Sequence, residues 1–395
     1  MKFAVAILSL LVIFSLAFLT SSDRKHIRYR PILGMLVLQF ASAFLLLHTS
    51  AGANVIGGFA ATFGALLECA QVGVHFVFGE LPNVGSFNFF FQVLLPIVFI
   101  SALIGILQFL NILPVIMKAM GYLLSRISRL GKLESYNGVA SFILGQSEVF
   151  ISMKRQLPNL SKERLYTLCA TAMSTVSMSI VGSYMQIIDS RFVVAALALN
   201  LFGSFIIVSI INPYKVSAEE DQLTVETDER PSLFEMLGEY ILDGFKVAII
   251  IAAMMIGYTA LLALFNHLFE YMCGYSFQHL LGYVFSPLAM LTGVAPSEAV
   301  VAGSIMATKL ISNEFVAMQA LKELTSAAVL SQRTIGIVSV FLVSFANFSS
   351  IGVIVGAIKG LHEEQSIVAA RFGLKLLYGA TLVSLLSATV ASIFL

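Results

Sequence analysis

Apolar residues in this chain come in runs of about twenty, with polar residues gathered between the runs. Coiled as a helix, a run of that length matches the hydrocarbon thickness of a bilayer. Eight spans are expected, near residues 3–20, 32–48, 93–112, 166–188, 192–212, 246–267, 334–358 and 372–394. Segments 49–92, 113–133 and 268–292 are mixed and carry glycine, and read as loops or interfacial helices. Two further apolar stretches, about 134–157 and 294–324, contain polar tips. The first tip is Gly145, Gln146, Ser147 and Glu148; the second is Ser312, Asn313, Glu314 and Phe315. An ionised carboxylate at the bilayer centre costs at least ~2.5 kcal/mol unless something pairs with it. Broken backbone at that depth is tolerated only where it lines a cavity. Each stretch is therefore expected to enter, break and return as a re-entrant hairpin, with the tips facing each other across a binding site.

Composition supports this all-α, polytopic membrane reading. The chain has 395 residues, 58% hydrophobic and only 11% charged, against about 25% charged in soluble domains. Mean hydropathy is +0.92. A net charge of +1 says nothing about nucleic acid, but no basic patch interleaved with aromatics appears, and no nucleic-acid partner is expected. Cys69, Cys169 and Cys273 are scattered and odd in number, so neither a disulfide framework nor a metal pattern is expected. The six histidines, such as His26, His75 and His362, show no ligand spacing. No metal and no cofactor are expected. The first apolar run has only Lys2 before it and no clear small-x-small cleavage site. It reads as an uncleaved helix, followed by Arg24, Lys25, Arg28 and Arg30.

Cytoplasmic loops are enriched in Lys and Arg. If both hairpins return to their own side, all basic residues but Lys2, Arg191, Lys309, Lys322 and Arg333 fall on the inner side. Both termini are then periplasmic. One acidic insertion, Ser217 to Pro231 with Glu219, Glu220, Asp221, Glu226, Asp228 and Glu229, reads as a solvated linker. The expected organisation is scaffold helices and an interfacial helix over 1–133 and a first repeat over 134–212. A linker, a sixth span and an outer segment occupy 213–293, and a second repeat 294–395.

The repeats rest on matching landmarks. Glu134 precedes the first hairpin, Glu148 is at its tip and Arg164 opens a helix containing Ser174 to Ser179. Glu298, Glu314 and Arg333 stand in the same order, before a helix containing Ser344 to Ser350. Clustered hydroxyls can bond back to their own helix and bend it, or can let helices pack closely. Two clusters at matching positions favour a functional break. By the charge partition the hairpins enter from opposite sides, so the repeats are inverted, as in secondary transporters with a midplane site.

Intramembrane carboxylates are functional by default, although Glu148 and Glu314 could instead pair with Lys309 or a helix N-terminus. A carboxylate suits bidentate acceptance from vicinal hydroxyls, as in a ribose. It can also carry a proton, because burial disfavours its charged form. Lys309 reads as a structural counter-ion within the second hairpin. Gln146 and Asn347 each offer a donor and an acceptor, the chemistry needed to read a base edge. Phe345, two residues from Asn347, could stack on a planar ligand. Gly352 and Gly356 read as helix packing. No nucleophile–His pair sits at the tips, which argues against an enzyme.

Three stretches resemble the concentrative nucleoside transporter family, its bacterial proton-coupled permease branch in particular. They are Leu144 to Glu148, Gly303 to Ala317 and Phe345 to Gly352, and the second holds a long Gly-x5-Lys-x3-Asn-Glu-Phe-Val-Ala signature. The likeness covers essentially the whole chain. It implies a homotrimer in the inner membrane, eight spans and two re-entrant hairpins, each protomer with its own site for nucleosides such as uridine, cytidine and adenosine. It implies binding by Gln146, Ser147, Glu148, Glu314, Asn347 and Ser350, with Phe345 nearby and Ile180 lining the base pocket. Gly145 and Asn313 would support the tips. The carboxylates and Asn347 would hold the ribose, while Gln146 and Ser147 reach the base. Sodium-coupled relatives place an asparagine where this chain has Ser141. Serine is a poorer ligand for a hard cation, so proton coupling is expected, with Glu148 the first candidate carrier and Glu314 the second. A sodium symporter and a passive pore on the same fold are the alternatives.

Overall fold

The computed structural model describes residues 2–83, 88–217, 221 and 232–395. Helices dominate it. The first part contains α1 (Lys2–Leu19), α2 (Tyr29–His48), α3 (Ser50–Phe78), a π-helical turn (Phe90–Leu94) running into α4 (Pro96–Phe109), and α5 (Ile112–Ser128). The first hairpin is α6 (Lys132–Ile143) and the single-turn α7 (Glu148–Ile151). Then come α8 (Lys162–Ser174), α9 (Met178–Met185), α10 (Ser190–Ile211), the 41-residue α11 (Leu233–Cys273) and α12 (Phe277–Leu291). The second hairpin is α13 (Ala299–Ile311) and α14 (Glu314–Ser326). The chain closes with α15 (Gln332–Leu342), α16 (Phe348–Leu361), α17 (Glu363–Arg371) and α18 (Gly373–Ser392).

Two expected spans are each broken in the middle. Span 166–188 is α8 and α9, separated at residues 175–177; span 334–358 is α15 and α16, separated at residues 343–347. Side chains cap the resumed helices. Ser177 Oγ accepts from Ser179 N at 3.3 Å, and Asn347 Oδ1 accepts from Ser350 N at 2.9 Å. Such a cap contributes typically ~1 kcal/mol. After each break an unbroken helix follows, α10 in the first half and α18 in the second, and these two pack together. Each half thus holds a helix pair around a polar tip, a broken helix and a long closing helix, with α17 inserted before the closing helix of the second half.

Three segments expected to be loops or interfacial are mostly helix. Segment 49–92 holds α3, which is 29 residues long and apolar enough to cross a membrane by length and composition. Its four inner glycines, Gly57, Gly58, Gly64 and Gly73, lower helix propensity by ~1 kcal/mol each. An apolar surround removes the water that would compete for the backbone, so the helix persists. Segment 113–133 is mainly α5, and 268–292 is mainly α12. Helix α12 packs against α13 at a close approach, where a Cβ on Gly303 would come within 2.7 Å of Gly282 O. Helix α11 extends well beyond the expected 246–267, starting from a capping box between Ser232 and Glu235.

The acidic insertion falls largely outside the described residues, except Ser217 and Asp221. Asp221 Oδ1 accepts from Lys132 N at 2.6 Å, at the start of the first hairpin. There the landmark pair Glu134 and Arg164 forms a buried ion pair, Nε to Oε1 at 2.6 Å and Nη2 to Oε2 at 3.2 Å. Tyr214 Oη also donates to Glu134, at 3.0 Å. The second repeat differs. Glu298 accepts from Ser331 N and Oγ at 2.8 and 2.9 Å, capping the turn before α15 and making no ion pair with Arg333 among the described residues. Desolvation pushes the Glu298 carboxyl up, but hydrogen bonds from Thr334 and Ser331 outweigh it and hold the group below its ordinary value.

Candidate functional site

The two tips and the two breaks meet. Gly145 stands at φ +117°, a left-handed backbone that favours glycine. A Cβ there would lie 2.7 Å from Glu148 Oε2 and 3.2 Å from Ser177 Cβ. Ser177, in the break between α8 and α9, donates to Leu144 O at 3.1 Å and so ties the first tip to the first break. Across the repeats, Phe345 N in the second break donates to Thr175 O in the first, at 3.2 Å.

A cavity of about 160 Å³ opens at this junction. All eight expected binding residues border it: Gln146, Ser147, Glu148, Ile180, Glu314, Phe345, Asn347 and Ser350. So do the supporting residues Gly145 and Asn313. Ser177, Ser179 and Ser349 add hydroxyls, and α11 closes one side with Val247, Ile250, Ile251 and Met254. The three serines lie in the hydroxyl clusters read as functional breaks, whereas the four α11 residues were not expected. The α11 residues are spaced 3, 1 and 3 apart, a helical face, but the helix has no charged residue over 247–265 and its sequence marks no face there.

The polar geometry is specific. Glu314 Oε1 accepts from Tyr184 Oη and its Oε2 from Asn347 Nδ2, each at 2.8 Å. Asn347 Oδ1 is taken by Ser350 N at 2.9 Å and Ser349 Oγ at 2.7 Å. The Asn347 amide is thus mostly spent on the protein, and one N–H remains for a ligand, less than its sequence promised. Gln146 Nε2 donates to Ser350 Oγ at 3.2 Å, while its Oε1 is buried without a partner among the described residues. At 9% exposure, this is an acceptor held ready beside the cavity. Glu148 Oε2 accepts from Ser147 Oγ at 3.2 Å. Glu148 also borders a second cavity of about 240 Å³, walled by Gln108, Glu239, Tyr240 and Asp243 among others.

Ser141 and Lys309 stand away from the cavity lining. Ser141 Oγ donates to Asn137 O at 2.6 Å within α6. Lys309 is fully buried, but it makes no ion pair inside its hairpin among the described residues. Its ammonium instead donates to Phe341 O and Ser344 Oγ at 2.7 Å and to Ser384 Oγ at 3.1 Å. Its hydrogen bonds are those of a cap on the neighbouring helix end. The C-terminal end of α15 is negatively polarised and offers unpaired carbonyls, and three donors suit it.

Comparison with known proteins gives the family. Residues 8–81 match the Na+ dependent nucleoside transporter N-terminus, 90–191 a nucleoside-recognition gate, and 192–392 the Na+ dependent nucleoside transporter C-terminus. The chain is 36% identical to the purine nucleoside transport protein NupG of Bacillus subtilis, over all of both chains. It is 28% identical to the nucleoside permease NupC of Helicobacter pylori, over 99% of this chain and 97% of that one. It superposes on CNTnw in an inward-facing substrate-bound state with a TM-score of 0.92 at 27% identity, covering 100% of this chain and 98% of the other. Family models, a full-length relative and a shared fold lead to one conclusion: the chain is a multi-pass transporter of the concentrative nucleoside transporter family.

Proposed function

We propose that this chain imports nucleosides across the bacterial inner membrane by proton symport. The observation that carries the reading is the cavity where both hairpin tips and both helix breaks converge. Glu314, braced by two donors, would accept the ribose hydroxyls. Gln146 Oε1, buried and unpaired, would accept from the base, with Ser147 beside it and Phe345 against the ring. Ile180 would pack on the base edge. Purine nucleosides come first among the substrates to test, given the name of the 36% identical relative.

Glu148 is the proposed proton carrier. It borders both cavities, so one carboxyl can exchange a proton with either. The charge partition puts the start of α11 on the inner side, which makes the second cavity the release route. Alternating access follows if the hairpin units move against a scaffold of α1 to α4 and α11. The uncovered apolar faces of α3 and α11 would meet lipid and, in a homotrimer, neighbouring copies. Both termini would be periplasmic.

Sodium coupling is the second reading. The family's description favours it, as does Asn137, whose Oδ1 is buried without a partner one turn before Ser141. Against it, Ser141 offers one hydroxyl oxygen, and hard cations want six or more oxygens. Uptake of labelled adenosine into proteoliposomes decides. A proton gradient alone driving accumulation supports the proposal; a sodium gradient alone driving it overturns the coupling, and flux without accumulation makes the protein a passive pore.

A further inference from the structure

We propose that Tyr184 is a positioning residue that sets the plane of the Glu314 carboxylate for the vicinal diol of a ribose. The inference rests on the reading of Glu314 as the sugar-binding acceptor. Tyr184 belongs to α9 of the first repeat, Glu314 to the start of α14 in the second. The terminal torsion of a Glu side chain is broad and two-fold, so Glu314 alone does not fix the direction of its oxygens. Two donors from different helices do: Tyr184 Oη on Oε1 and Asn347 Nδ2 on Oε2, both at 2.8 Å. Each carboxylate oxygen accepts at about two lone pairs. Acceptor capacity remains on the carboxylate beyond these two donors, and two adjacent hydroxyls can use it.

Tyr184 itself has no room to yield. It is fully buried, and its ring meets Phe315 edge-on with centroids 5.0 Å apart. Its neighbour Ser183 donates to Val93 O in the π-helical turn at 2.6 Å. The phenol does not border the cavity, so it touches no solute and acts only through Glu314. The bland alternative is a buried hydroxyl using the nearest acceptor, since an unbonded one would be costly. A purely structural hydroxyl would affect every substrate alike; a positioning one affects only substrates that carry the diol.

The test is uptake of adenosine and of 2′,3′-dideoxyadenosine by Tyr184→Phe, which keeps the ring and its packing. The expected result is a KM for adenosine raised about tenfold, the scale of one hydrogen bond to a charged group, with KM for the dideoxy substrate unchanged. Transport of the dideoxy substrate also reports that the variant is folded. Equal loss for both substrates, or no change for either, overturns the inference. Should Tyr184→Phe fail to reach the membrane, fluorotyrosine placed at 184 keeps the hydroxyl as a stronger donor. Its KM must then shift for adenosine and not for the dideoxy substrate. Glu314→Gln separates the two layers of argument. If it still prefers adenosine over the dideoxy substrate, the ribose reading falls; if it loses the preference while Tyr184→Phe keeps it, only the positioning role falls.

Discussion

Replacing Glu148 by Gln tests the coupling at one group. The amide matches the carboxyl in shape and keeps an acceptor for Ser147 Oγ, now at 3.2 Å from Oε2, but it cannot take up a proton. A solute that meets Glu148 loses a charged acceptor and gains a neutral one. Hydrogen bonds to charged groups are worth ~1.5–3 kcal/mol and neutral ones ~0.5–1.5, so binding weakens by about 1 kcal/mol. That is roughly a fivefold rise in KM. The larger effect is on accumulation. One proton per nucleoside moving down a gradient of one pH unit supplies about 1.4 kcal/mol, which sustains about a tenfold concentration ratio at zero membrane potential. Proteoliposomes clamped at zero potential and acidified outside should show that ratio for the parent protein. Glu148→Gln should level off at a ratio of one while still exchanging internal for external nucleoside. A variant that accumulates as well as the parent refutes the assignment and moves the proton to Glu314.

Three further outcomes follow from named contacts. Gly145→Ala combines a φ of +117° with a Cβ at 2.7 Å from Glu148 Oε2. Strain of about 1–3 kcal/mol at the tip should cut uptake at least ~10-fold with the protein still inserted, and wild-type uptake would refute the requirement for glycine. Arg164→Met leaves the buried Glu134 carboxylate without its 2.6 Å partner, at a cost of about 3–5 kcal/mol. Thermal melting in detergent should fall well below the parent, and Glu134→Leu combined with Arg164→Met should recover most of the loss. Cys69 and Cys273 are exposed and Cys169 is buried. If α3 lies along the outer surface, an impermeant maleimide added to intact cells labels Cys69 and Cys273. If α3 crosses, Cys69 sits roughly 28 Å below the outer surface, at 1.5 Å per residue from Ser50, and stays unlabelled.

The polar tips, the helix breaks and most of the cavity's polar lining are legible in the sequence because each leaves a polar mark in an apolar field. Gln146, Glu148, Glu314 and Asn347 stand out for that reason. What stayed hidden left no such mark. Helix α3 carries four inner glycines, which lower the local signal without stopping a helix away from water. The α11 wall of the cavity is apolar on every face, and Tyr184 is one of 12 tyrosines with nothing local to single it out. The role of Lys309 also depended on a distant partner. Phe341, Ser344 and Ser384 lie 32 to 75 residues away in sequence, and no spacing rule connects them.

The two repeats share a plan but not a charge environment, and the difference assigns their roles. In the second repeat, Glu314 is held by two donors at 2.8 Å, and the Lys309 ammonium caps the neighbouring break. Hydrogen bonds and nearby positive charge both favour an ionised carboxylate, which is the form a sugar diol needs. In the first repeat, Ile143 stands five residues before Glu148, where Lys309 stands before Glu314. Among the described residues no cation is hydrogen-bonded to Glu148, and its one side-chain donor is Ser147 at 3.2 Å. A carboxyl so lightly held, bordering two cavities, can change its protonation without dismantling a network. The lysine beside Glu314 in the second repeat and the proposed proton on Glu148 in the first are then alternative answers to one problem, a carboxylate inside the bilayer. Only a proton can be given up on the far side, so under the proposed symport the first repeat is the one expected to couple.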